Sequence, residues 1–287
     1  MDTITLILVI IVGYLLLGLI AYKIQERFIF KPERLPANFQ YQYAFPFEEL
    51  NFPIKEGVTI NGLLFPVAPE KRKGVVMYFH GNSRSIKGWG KFSTDFTEKG
   101  FDVVMLDYRG FGKSTGKRSE KGMKTDFQKV YEQMLQRYPE EEMIVYGRSI
   151  GSGFAAKLAS TNKPQMLILE SPYYSFHRLT QRILPILPMS MVLRFRLRTH
   201  VWLRYVHCPI RIIHGTKDLL IRPKASKDLA KIRPMQTVLY LIKGGGHNNL
   251  QKFPEYHETL KLILSEGAEL VNHAKQNPLN HELQKFL

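Results

Sequence analysis

Short apolar runs recur along this chain from about residue 49 onward, at 49–54, 59–65, 74–79, 101–106, 143–146, 165–169, 210–213 and 237–242. Each is four to eight residues long and rich in Val, Ile, Leu, Tyr or Phe, the pattern of a strand. Between them, stretches such as 85–99 and 121–137 place apolar residues at helical spacing. Apolar strands separated by helices point to an α/β class, with a parallel sheet covered on both faces. Thr59-Ile60-Asn61-Gly62 suggests an antiparallel hairpin early in the domain. No internal repeat is visible.

The first run is different in kind. Residues 3–22 hold no charged side chain, which is the length a helix needs to cross a bilayer. A cleaved signal peptide fits less well, because Asp2 replaces a basic cluster ahead of the run and no A-x-A site follows it. Lys23, Arg27, Lys31 and Arg34 against Glu26 and Glu33 give the carboxyl-terminal flank its positive excess, so the domain is expected in the cytoplasm. The organisation read from these patterns is a transmembrane anchor at 1–24, a tether at 25–45, a folded domain at 46–267 and a carboxyl-terminal tail at 268–287.

With 44% hydrophobic residues in 287, the chain can bury one substantial core. Its formal net charge of +16 calls for an anionic partner. An anionic membrane surface is the simpler one beside a membrane span, and no nucleic-acid motif accompanies the charge. The single cysteine, Cys208, excludes an internal disulfide and reads as a small core residue at a strand entrance.

Gly147-Arg148-Ser149-Ile150-Gly151 follows an apolar run and precedes an alanine-rich helical pattern. That is the G-x-S-x-G nucleophile elbow in the strand-turn-helix context it requires. A serine needs a base and an orienting carboxylate, in the chain order Ser, acid, His. Asp218, past the strand at 210–213, is the first acidic residue after Glu170. His247 follows three glycines at the end of another strand and is the expected base. Of the other histidines, His257, His273 and His281 fall on a helix or in the tail, His177, His200 and His207 in an irregular basic region, and His214 reads as a structural loop residue. His80-Gly81-Asn82-Ser83 ends a strand in a loop able to turn an amide toward a reacting carbonyl; the backbone N–H groups of Asn82 and Ile150 are the expected oxyanion hole. This chemistry needs no cofactor and no metal.

HGNS at 80–83, DYRGFGKSTG at 107–116, GRSIGSG at 147–153, LESPY at 169–173, HGTKD at 214–218 and GGGHNN at 244–249 together resemble the α/β-hydrolases. The likeness is to their membrane-anchored serine hydrolases, whose relatives include protein depalmitoylases and lipid esterases. The resemblance implies a mostly parallel eight-stranded sheet with a short helical cap. It also implies cleavage of an ester or thioester of an acyl or lipid-like substrate through an acyl-enzyme, with Ser149, Asp218 and His247 catalytic. A serine peptidase, or a non-catalytic binding module on the same fold, are the alternatives. The cap is expected at about 173–207, where six arginines, no acid, many large apolar residues and two helix-breaking prolines fall together. Such a segment suits a lid over an acyl chain or a patch lying on anionic lipid.

Overall fold

Eight strands form one sheet: β1 (Glu48–Lys55), β2 (Val58–Phe65), β3 (Gly74–Phe79), β4 (Phe101–Leu106), β5 (Met143–Arg148), β6 (Met166–Glu170), β7 (Ile210–Gly215) and β8 (Thr237–Ile242). The computed structural model that shows them describes residues 2–276. Their spatial order is β8-β7-β6-β5-β3-β4-β2-β1. β1 and β2 pair antiparallel, as do β2 and β4; all other neighbours are parallel. This is the α/β-hydrolase fold.

The central strands are buried on both faces, so side-chain alternation splits the core in two. Val75, Met77 and Phe79 of β3 face one layer, and Val76 and Tyr78 the other. The first layer is covered by helices α2 (Glu120–Met134) and α3 (Gly151–Ala159) and by the cap, and the second by helices that follow β3 and β8. Pro53 lies in the edge strand β1, where a missing N–H does least harm.

Two expectations are corrected. The hairpin turns at Glu56-Gly57, with Gly57 at φ +68°, and Asn61-Gly62 lies inside β2. Asn61 is buried and accepts from the Tyr41 hydroxyl at 2.8 Å. A Cβ on Gly62 would lie 2.9 Å from the Met105 carbonyl, so this glycine serves packing and not turning. The stretch 85–99 is three short pieces (Ile86–Trp89, Gly90–Ser93, Thr94–Thr97) instead of one helix. At Gly90 the Tyr43 hydroxyl occupies the space a side chain would need.

The apolar amino-terminal run forms helix α1 (Thr3–Ile29), capped by Asp2, whose carboxylate accepts from the Thr5 N–H. It is long and apolar enough to cross a membrane. It extends past residue 24 into the folded domain, where Gln25, Ile29 and Phe30 are buried. The following segment packs closely: Lys31 pairs with Ser83, and the Tyr43 hydroxyl donates to the Ile86 carbonyl at 2.7 Å. The cap is broken as its prolines dictate, into α4 (Phe176–Ile183), one turn at Met189–Val192 and one at Thr199–Trp202. Helix α5 (Lys224–Ala230) follows β7 and α6 (Pro254–Gln276) follows β8. Residues 277–287 of the tail, with His281, lie outside the described residues.

Candidate active site

The chain passes from β3 to β4 on one side, then returns to place β5 on the other side of β3. That reversal leaves a crevice at the carboxyl ends of β3 and β5, the usual place for a ligand site in such sheets. Phe79 and Gly147 are register partners there, so the loop after β3 and the turn after β5 lie side by side.

Ser149 sits on that turn at φ +53°, a conformation non-glycine residues rarely adopt. Its N–H donates to the Glu170 carbonyl at 2.9 Å, and its own carbonyl accepts from the N–H of Ser152 at 3.0 Å. The strained corner is closed by contact: a Cβ on Gly151 would lie 2.2 Å from the Phe79 carbonyl oxygen. Below it, Arg148 and Glu170 form a buried ion pair at 3.1 Å, with the guanidinium over the Trp89 ring at 5.1 Å. Burial opposes the Arg148 charge, but Glu170 outweighs it and holds the group more firmly protonated than usual. Glu170 also accepts from Tyr146 and from Gln251, so the carboxylate is fully engaged.

Three side chains from three loops converge at the crevice. Ser149 Oγ lies 2.9 Å from His247 Nε2, and His247 Nδ1 lies 2.7 Å from Asp218 Oδ2. Nδ1–H donating to the carboxylate leaves Nε2 as the lone pair facing the serine. The loops that carry Asp218 and His247 are drawn together through glycine: at Gly215 a Cβ would fall 2.3 Å from the Gly245 carbonyl oxygen. The Lys217 N–H donates to that same carbonyl at 2.8 Å.

Asp218 is held from more sides than its place in the sequence suggests. Burial raises its carboxyl, but hydrogen bonds from His214 and His247 outweigh that and keep it well below the usual carboxylate range. Oδ1 accepts from the Ile221 N–H at 2.8 Å, and His214 Nε2 lies 3.2 Å from Oδ2. His214 is itself buried, with Nε2 at 2.8 Å from the Ile221 carbonyl and Nδ1 at 2.6 Å from Ser226 Oγ. It therefore braces the acid, a role that its i to i+4 spacing from Asp218 could have signalled.

The loop at 80–83 is tied to its neighbours on several sides. Tyr108 donates from its hydroxyl to the His80 carbonyl, and the His80 and Tyr108 rings stack at 4.2 Å. His80 Nε2 faces the buried Asp107 at 3.4 Å. The Asn82 side-chain amide donates to the Ile29 carbonyl at 2.9 Å, and the Lys31 N–H donates to the Asn82 carbonyl at 2.8 Å. The last turn of α1 is thus bonded directly to this loop. Ile150 follows the serine at the start of α3, next to the same crevice.

A cavity of about 180 Å³ lies between the cap and the loop after Asp218, lined by Leu179, Ile221, Arg178, Arg182, Arg222 and Lys224 among others. Arg178 and Lys224 share Asp228, at 2.9 and 3.0 Å. Among the described residues, no cluster of His, Cys, Asp and Glu is arranged to hold a metal.

A family model described as "Serine aminopeptidase, S33" matches residues 70–206. Protein bem46 of Schizosaccharomyces pombe is 26% identical over 227 residues, which are 75% of this chain and 71% of that protein. The lysophosphatidylserine lipase ABHD12 of Danio rerio is 28% identical over 179 residues, 54% of this chain but 46% of the lipase, so the match spans less than half of that relative. Among solved structures, the Pyrococcus furiosus esterase Pf2001 superposes with a TM-score of 0.65 at 20% identity, covering 85% of this chain and 98% of the esterase.

Proposed function

The chain belongs to the α/β-hydrolase superfamily, and on that premise we propose that it is a membrane-anchored serine hydrolase that cleaves carboxylic esters or thioesters of acyl or lipid-like substrates. The observation that carries the proposal is the unbroken hydrogen-bonded chain from Ser149 Oγ through His247 to Asp218. In this reading Ser149 Oγ attacks the acyl carbonyl while His247 Nε2 takes the hydroxyl proton. Asp218 stays ionised, fixes the tautomer and stabilises the imidazolium. The oxyanion is held by the N–H groups of Asn82 and Ile150. His247 then gives its proton to the leaving oxygen or sulfur, and water attacks the acyl-Ser149 by the same route in reverse.

Helix α1 is the membrane anchor in this account, and the basic flank of that helix favours a cytoplasmic domain. Exposed cap cations such as Arg196 and Arg198 favour an anionic leaflet, with no partner in nucleic acid. The relatives add an esterase and a lipase by name.

The family description favours a second reading, an aminopeptidase. Holding a peptide α-ammonium calls for carboxylates near the nucleophile. The cavity beside Asp218 presents Arg178, Arg182, Arg222 and Lys224 instead, and Asp228 is already taken up by two of them. The cavity's lining does not include Ser149 or His247, but its cations are a poor surrounding for an α-ammonium, and the ester reading is preferred.

Turnover of acyl esters, acyl thioesters and aminoacyl amides of graded chain length tests the proposal. Esters or thioesters should be cleaved, and Ser149→Ala, His247→Ala and Asp218→Asn should each lower kcat at least about a thousandfold. Preferential cleavage of free-amino peptides would establish the second reading. Undiminished turnover by Ser149→Ala would place the chemistry elsewhere.

A further inference from the structure

One face of α1 does not face outward. Gly18, Ala21, Gln25 and Ile29, spaced three or four apart, are partly or wholly covered, while the rest of the apolar helix is exposed. What covers them is the cap. A Cβ on Gly18 would lie 3.9 Å from Val192, and Gln25 donates to the Val192 carbonyl at 2.9 Å while accepting from the Arg194 N–H at 2.8 Å. Farther along, the Tyr14 hydroxyl donates to the Ile186 carbonyl at 2.9 Å.

That last bond sets a depth. The charged end of the span is marked by Lys23, by Glu26 paired with Arg118 at 2.8 Å, and by Arg194 over the Tyr22 ring at 5.7 Å. Tyr14 lies eight residues nearer the amino terminus than Tyr22, about 12 Å along a helix axis. A helix that crosses a bilayer therefore carries Ile186 below the interface with it.

The cap tip has the surface and the backbone for that place. Ile183, Leu184, Ile186 and Met191 are exposed, Ile186 and Met191 by 76% and 80%. Peptide groups in hydrocarbon must be satisfied within the protein. Here Gln181 donates to the Pro185 and Leu187 carbonyls at 2.9 and 3.0 Å, Tyr14 serves Ile186, and Gln25 serves Val192. Pro185 and Pro188 have no N–H to satisfy. A loop open to water has no need of side-chain donors for successive carbonyls.

The tip is also joined to the loop that carries Asp218. Arg182 donates to the carbonyls of Leu219 and Leu220, the two residues after Asp218, and Leu219 is 85% exposed.

We propose that residues 183–191 form a lip immersed in the hydrocarbon layer of the bilayer that α1 crosses, and that acyl chains reach the crevice sideways from that leaflet along Leu219 and Leu220. The first half rests on the contacts between α1 and the cap and on α1 crossing the bilayer; the second rests also on the hydrolase reading above. The occupant of the lip is fluid lipid, and the cap is not simply a charged patch resting on headgroups.

The test uses the full chain in phosphatidylcholine vesicles. Cys208 is buried, so an environment-sensitive thiol probe reports an introduced cysteine, with unsubstituted protein as background. A probe on Ile186→Cys should be quenched by lipids brominated along the acyl chain and shielded from aqueous iodide. A probe on Met235→Cys, at a 96% exposed position, should behave in the opposite way. Iodide quenching at 186 equal to that at 235 overturns the lip. Shielding from both quenchers also overturns it, since the tip would then be covered by protein. For the lateral route, Ile186→Gln combined with Met191→Gln should lower the ratio of kcat/KM for a vesicle-dissolved long-chain ester to that for a soluble acetyl ester about tenfold. An unchanged ratio removes the route while leaving the lip standing. Wild type that hydrolyses neither ester refutes the hydrolase reading alone, because the quenching result does not depend on turnover.

Discussion

Asp218 can act as an orienting carboxylate only while it is ionised, and it is buried, so its hydrogen-bond partners decide the matter. His214 is one of two histidines that outweigh the burial. Replacing it by phenylalanine leaves burial less opposed, and the Asp218 carboxyl should rise toward the ordinary range or above it. The sign follows from the direction of the shift. A lowered carboxyl contributes stability that is complete above its unfolded pKa and lost as pH falls through the folded value. In His214→Phe that loss, and the loss of the working carboxylate, should begin at higher pH. The acid limb of the kcat/KM profile should move upward, with activity at neutral pH down about tenfold, the worth of one hydrogen bond to a charged group. A variant with lower activity but an unmoved acid limb would make His214 a packing residue only. Ser149, Asp218 and His247 were legible in the sequence because a motif fixes the first and chain order selects the others. His214 reads as a loop residue, and its spacing of four from Asp218 is the one sequence hint that its ring turns back onto that carboxylate. Arg148 and Glu170 were hidden: their pairing comes from strand register between β5 and β6, which a single chain does not display.

Elements were legible in proportion to their independence from tertiary contact. The eight strands carry their own apolar signal, and every expected run lies within or within one residue of an observed strand. The hairpin turns at Glu56-Gly57 and not at Asn61-Gly62, which satisfies a local turn rule but whose glycine is claimed by close packing against β4. The helix expected at 85–99 breaks for a similar reason, around aromatic residues arriving from 39–47. Helix α1 was legible as an apolar run, but its far end was not. Gln25 looks like a polar flank in sequence and acts as a bridge to two cap peptide groups in space. Orientation is the property of α1 most open to direct test. With the domain in the cytoplasm, protease added outside intact cells should leave it uncut, and permeabilised cells should allow cleavage. Digestion in intact cells would reverse the topology.

At the scale of the whole molecule, the sheet, the cap and α1 converge on one crevice. The loop at 80–83 is bonded to the end of α1, the elbow rises from the central strand pair, and the cap joins α1 to the loop after Asp218. Helix α1 and the candidate site are thus bonded together, which would suit a substrate that resides in the membrane. Acyl burial would add about 0.8 kcal/mol per methylene to such a substrate's binding. All of this presupposes that Ser149 is a working nucleophile. The most direct measurement is the mass of the intact full-length protein after reaction with a fluorophosphonate, followed by mapping of the modified peptide. The account predicts one stoichiometric adduct on Ser149, absent from Ser149→Ala and strongly slowed in His247→Ala. A folded wild-type protein that takes up no adduct, or an adduct that persists in Ser149→Ala, would contradict it.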